Sequence, residues 1–141
     1  MTDGRADYPA ITEREASVAP NAMIRGAAAP RALVEGGARI ELDGQRVRVD
    51  YRVFRSSSEA AVEILGGRSR AGAAQSIDHA VTNFHVLRRG LYRGLLVGVY
   101  DENSPAAATD LREQFLAARP EETLLLPGSE AIPTLTEWIV A

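Results

Sequence analysis

The stretch ARIELDGQRVRVDYRVFR, residues 38–55, constrains this chain more than any other. Two runs of alternating apolar and charged residues flank Asp43-Gly44, and an Asp-Gly pair between such runs predicts a tight hairpin turn because glycine accepts positive φ without a steric penalty. Strands are expected at about 38–42 and 45–55. In the second, Val47, Val49, Tyr51 and Val53 share one face and Arg46, Arg48, Asp50 and Arg52 the other, since strand side chains alternate. Carried to the strand end, the same count turns Arg55 toward the apolar side, where a guanidinium needs an anionic or hydrogen-bonding partner.

The remaining chain mixes both kinds of element. Residues 1–37 show no sustained periodicity and read as an extended arm, with residues 38–141 as one domain. SSSEAAVEILGG (56–67) reads as a short helix, with Ser56 and Glu59 as a capping box, Ala61, Ile64 and Leu65 as its apolar stripe and two glycines as its stop. IDHAVTNFHVLRRG (77–90) fits strand or helix. GLLVGVY (94–100) is apolar on both faces and reads as a central strand. Ser104 and Pro105 open a helix that groups Leu111, Phe115 and Ala118, and ETLLL and TEWIV read as two further strands. Without a regular strand–helix alternation, the pattern predicts an α+β fold.

Composition excludes several functions. Of 141 residues, 45% are hydrophobic, enough for one core, and the net charge of -3 gives no footprint for duplex nucleic acid or an anionic membrane surface. The absence of cysteine removes disulfides, thiolate metal sites and cysteine nucleophiles. No apolar run has the length of a signal-peptide core or a membrane span, which predicts a protein that is cytoplasmic or delivered by a specialised secretion route. All sixteen basic side chains are arginine, a bias that fits a GC-rich coding sequence.

Candidate chemistry is sparse. AVTNFHVL is similar to the histidine segment of trypsin-like serine proteases, yet no Gly-x-Ser-Gly nucleophile loop accompanies it. His79 and His85 stand six apart with no third ligand, so no metal site is expected. PEETLLLPGSEAI (120–132) puts two glutamates before an apolar strand. If that strand starts at residue 121, Glu122, Leu124 and Leu126 share a face. A glutamate at the mouth of such a strand, with an arginine opposite, suits a reaction that develops positive charge on a sugar carbon while an anion is held.

Those residues carry a resemblance. VFRSSSEAAVEILGG is similar to the first motif of cholera-toxin-like mono-ADP-ribosyltransferases, and PEETLLLPGSEAI resembles their third, in which the catalytic glutamate precedes a hydrophobic pair and Pro-Gly. Thr82-Asn83 lies between them, where that family has Ser-Thr-Ser. The resemblance spans about residues 45–135 and implies a split β-sandwich that uses NAD as substrate, transferring ADP-ribose to a macromolecular acceptor or hydrolysing NAD, in the manner of a toxin or effector. It implies Arg55, or alternatively Arg52, at the NAD phosphates, Thr82 with Asn83 bracing the glutamate, Phe84 against nicotinamide, and Glu122 as the catalytic residue. Pro120 replaces the first glutamate of the family's Glu-x-Glu, which puts arginine as acceptor in doubt. Read without the resemblance, the same residues allow a non-enzymatic α+β binding or assembly module that engages a protein partner through its N-terminal arm.

Overall fold

The computed structural model describes residues 33–55, 58–131, 133 and 134. Its first half is one long, bent hairpin. β1 (Leu33–Gly36) pairs antiparallel with β4 (Tyr51–Arg55), and β2 (Arg39–Leu42) with β3 (Gln45–Arg48) around the Asp43-Gly44 turn, where both residues have positive φ. Between the two ladders Gly37 N–H donates to the Asp50 carbonyl at 2.8 Å and Val49 N–H to the Ala38 carbonyl at 2.9 Å, so the hairpin bends without losing its hydrogen bonds.

The bend corrects two expectations. The strand expected at 45–55 is split at Val49-Asp50, and the arm expected to run to residue 37 ends in a paired strand, β1. Val47, Val49, Tyr51 and Val53 are all buried, but the first pair joins the core beneath the helices and the second the core on the opposite face of the sheet. Crossing from one face to the other at Asp50 is what lets one alternating run serve both.

Residues 58–65 overturn the helix expected there. They form β5 (Ser58–Leu65), antiparallel to β4 and parallel to β6 (Leu95–Tyr100). From Ala60 to Leu65 every position is buried, as befits a strand covered on both faces. The capping box involved Ser56, which lies outside the described residues. The stretch 77–90 resolves as helix, the second part of α1 (Arg70–Arg89). Its buried residues Ala73, Ile77, Ala80, Phe84 and Leu87 recur at helical spacing, and the Ser69 side chain accepts from Gly72 N–H at its start.

After β6, a 3₁₀ turn (Pro105–Ala107) leads into α2 (Thr109–Ala118), then β7 (Thr123–Pro127), which lies parallel to β6 at the sheet edge. The sheet order is β1-β4-β5-β6-β7, with β2-β3 as a separate two-stranded ladder. The fold is α+β as expected, although β5-α1-β6-α2-β7 does alternate regularly, which the misread 58–65 concealed. Both helices share one core: Phe84 meets Phe115 edge to face at 6.4 Å, and a Cβ on Gly98 of β6 would come within 2.9 Å of the Phe115 ring. Leu111 and Phe115 are buried while Ala118 is exposed. The strand expected at TEWIV lies outside the described residues. No helix among the described residues is long and apolar enough to cross a membrane.

Candidate functional site

In open sheets with parallel strands, ligands favour the carboxyl ends of the strands. Here the chain's own groups pair with one another at that end. Glu102, just past β6, accepts from the Ser129 N–H at 3.1 Å and the Ser129 hydroxyl at 2.7 Å, and these bonds hold its carboxyl below the usual carboxylate range. Arg70 at the start of α1 pairs with Asp110 at the start of α2.

A cleft of about 730 Å³ opens at the opposite, amino end of the parallel strands. Ser58 and Glu59 come from the start of β5, Gly94 and Leu95 from β6, Glu122 and Leu124 from β7; the end of α1 and Leu42 of β2 close it. That size is within the roughly 300–1,000 Å³ of ligand pockets.

The floor is rigidly built. Arg52 grips Glu59 through two bonds, Nε to Oε2 at 3.1 Å and Nη2 to Oε1 at 2.9 Å, a fork that fixes direction as well as distance. Burial opposes ionisation of Glu59, but the Arg52 fork, Tyr92 and the guanidinium charge together outweigh it and hold the carboxyl below its ordinary range. Tyr92 is buried, and desolvation, reinforced by Glu59, pushes its phenol far above its ordinary range. Its hydroxyl lies close enough to Glu59 for each to shift the other, yet forms no hydrogen bond of ordinary geometry. Arg88 Nη1 donates to the Tyr92 carbonyl at 2.8 Å and the Gly94 carbonyl at 2.9 Å, pinning the loop. Gly94 is required there, because a Cβ would stand 2.4 Å from the Tyr92 hydroxyl oxygen.

The rim differs in kind. Leu91 is 81% exposed and Leu124 37% exposed, while Arg93 and Glu122 are exposed. Leu91 has φ 66 and Glu122 φ 65; among the described residues the other non-glycine with positive φ is Asp43 in the hairpin turn, where this is ordinary.

Residues singled out from sequence are dispersed. Glu122 lines the cleft together with Leu124, but from left-handed backbone ahead of β7, which starts at Thr123 rather than at the expected residue 121. Arg55 ends β4 at the same sheet edge, opposite Ser58, and its side chain lies outside what is described. Arg52 is committed to Glu59. Thr82 is on an exposed face of α1 and does not line the cleft. Asn83 instead reaches the fully buried Glu63, donating to Oε2 at 2.6 Å and to the Arg48 carbonyl at 2.9 Å. Phe84 is fully buried against Phe115, which corrects its expected place against nicotinamide: a side chain in the core offers no face to a ligand.

Sequence reasoning missed Leu91 and Tyr92, read Glu59 only as part of a helix cap, and read Arg93, with Arg88 and Arg89, as a solvated face. The signal available was GLYRG, an aromatic bracketed by glycines ahead of a central strand. No protein-family model matches the chain, and no curated protein matches it.

Proposed function

We propose that the protein is a binding module whose working surface is the cleft at the amino end of β5, β6 and β7. One observation carries this reading: Leu91 and Glu122, on separate elements of one cleft, are both held in left-handed backbone with exposed side chains. Such a conformation costs roughly 1–2 kcal/mol per residue, and backbone strain of this kind clusters at functional sites. Exposed leucines around a pinned polar floor suit a ligand with an apolar body and a polar head. The reading moves the binding surface from the N-terminal arm, expected from sequence, to the folded domain.

The test is a ligand and peptide screen on the full chain by thermal shift, with hits mapped by amide chemical shifts. Binders are expected to perturb Gly94, Leu95 and Leu124 and to be lost in Leu91→Asp. Binders that map elsewhere, or that ignore Leu91→Asp, would overturn the reading.

A second reading, NAD-dependent ADP-ribosyl transfer or NAD hydrolysis, is favoured by the presence of Glu122 and Arg93 in one cleft with Arg55 ending β4 at the same edge. Glu122 would stabilise the oxocarbenium-like transition state and an arginine would meet the NAD phosphates. The main sheet and the β2–β3 ladder would then stand for the halves of a split β-sandwich. Thr82, Asn83 and Phe84 take no part. Nicotinamide release from NAD, with and without lysate proteins as acceptors, tests it: Glu122→Gln should reduce the rate about a hundredfold or more, and no release by the unaltered protein removes the reading.

A further inference from the structure

Arg88 is the half-buried cation of the cleft, and its charge is only partly answered. Nη1 donates to the Tyr92 and Gly94 carbonyls, and no carboxylate pairs with the guanidinium among the described residues. The N–H donors on Nε and Nη2 meet no acceptor among those residues, in a side chain that lines the cleft. Arg93 on the rim is exposed and likewise makes no ion pair among the described residues.

The acidic groups of the cleft do not cancel this charge. Glu59 is taken by the Arg52 fork. The negative pole at the end of α1 is blunted, because the carbonyls of Val86, Leu87 and Arg88 accept the N–H groups of Gly90, Tyr92 and Leu91. Glu122 is exposed on the rim, where water and salt screen it as they screen Arg93. That leaves half-buried Arg88 as the charge that decides the sign, and the cleft carries a small positive surplus.

Resting on the binding reading above, we propose that the cleft takes an aliphatic monocarboxylate, its head against Arg88 and Arg93 and its chain along Leu42, Leu91, Leu95 and Leu124. A carboxylate meets the planar fork of a guanidinium through paired hydrogen bonds. Its single charge suits a small surplus, whereas the second charge of a phosphate would face Glu122. The leucine walls offer no hydrogen bonds, so a peptide lying along them would leave backbone N–H and C=O groups unpaired, and an alkyl chain has none to leave.

Octanoate, octanol and octylammonium share one chain and differ in the head, and each is titrated into the full-length ¹⁵N-labelled protein. Octanoate is expected to shift the Gly94, Leu95 and Leu124 amides saturably and to bind about tenfold more tightly than the other two, as hydrogen bonds to a charged group allow. Arg93→Gln, an exposed change that leaves the pinned loop intact, should weaken octanoate about threefold, and Glu122→Gln should tighten it about twofold by removing a like charge. Arg88→Lys keeps the charge and loses the fork, and should weaken octanoate about tenfold; the two rim variants decide the matter should that one fail to fold. Octanol or octylammonium binding as tightly at the same amides overturns the anion while leaving the cleft as a binding site. Octyl phosphate binding more tightly than octanoate overturns the carboxylate, and acetyl-alanyl-leucine binding more tightly overturns the alkyl chain in favour of a peptide's carboxyl terminus. Octanoate affinity that is unchanged in both rim variants also overturns the proposal. If no probe moves a cleft amide, the carboxylate falls, and the screen with Leu91→Asp then decides the binding reading separately.

Discussion

Asn83 of α1 donates a 2.6 Å hydrogen bond to Glu63 of β5, an acidic side chain with no exposed surface. Asp50 completes the arrangement from the hairpin bend, giving its N–H to Glu63 at 3.3 Å and accepting the Ile64 N–H at 2.7 Å. Three separate segments are thus tied through one buried acid. Asn83→Ala should lower stability by about 1–3 kcal/mol, the cost of leaving a buried polar group without one of its partners, as read by urea unfolding. Thr82→Ala, one residue away on the exposed face, should change it by less than about 0.5 kcal/mol.

Gly94→Ala is expected to destabilise the protein by about 1–3 kcal/mol, because the added methyl must displace Tyr92 or the loop that Arg88 pins. Amide shifts of the variant should change around Tyr92 and Glu59 and remain unaltered around Glu102 and Ser129, at the far end of the strands.

Leu91→Gly separates stability from binding. Glycine takes φ 66 without strain but enlarges the freedom of the unfolded chain, so stability should be unchanged or rise by up to about 1 kcal/mol. Affinity for any cleft ligand should fall. A variant that loses stability and keeps its affinity would show that Leu91 is placed for packing.

The Arg52–Glu59 pair gives a pH dependence of defined sign. Glu59 has a depressed pKa in the fold, so its contribution is present above the ordinary value of 4.5 and is lost as pH falls through the folded value. For a pair still in contact with solvent, a double-mutant cycle at pH 7 should give a coupling of up to about 1 kcal/mol, shrinking as the buffer is taken below pH 4.5. Coupling that persists at pH 2 would show that the charge interaction is not its source.

At the alkaline end Tyr92 acts in the reverse direction. Its phenol is raised in the fold, so above pH 10 the unfolded chain releases a proton that the native state retains, and stability declines as pH rises. Tyr92→Phe should flatten that decline in melting temperature between about pH 10 and 11.

The hairpin was legible because Asp43-Gly44 and its flanking alternation are local signals, and β6 because six consecutive apolar positions leave little other choice. Residues 58–65 misled for a physical reason. Ala60 and Ala61 with Glu63 look helix-compatible, and the strand is imposed by partners on both sides, β4 and β6, that no local window contains. A lone glutamate within AAVEILGG was nevertheless a clue, since a strand buried on both faces must supply that carboxyl group with hydrogen-bond partners. Of the residues at this end of the sheet, Glu122 and Arg55 stand out in the sequence because both flank recognisable strands. Glu59 and Tyr92 do not, since their meeting depends on the path of α1, whose strand-or-helix ambiguity the sequence left open.

The parallel half of the sheet also sets an order of assembly during synthesis. The bent hairpin and β5 emerge together and can pair at once, whereas β5 finds β6 only after all of α1 has left the ribosome, and β6 finds β7 only after α2. For that interval the apolar inner edge of β5 stands open to any other nascent chain, and non-local closure of this kind is slow. α1 bridges the delay: its own hydrogen bonds are local, and Ser76 can latch onto the Ile64 carbonyl at 3.1 Å and the Gly66 N–H at 3.3 Å before β6 exists. The serine on the buried face of that helix is thus positioned to steady an unfinished sheet while it waits for its next strand.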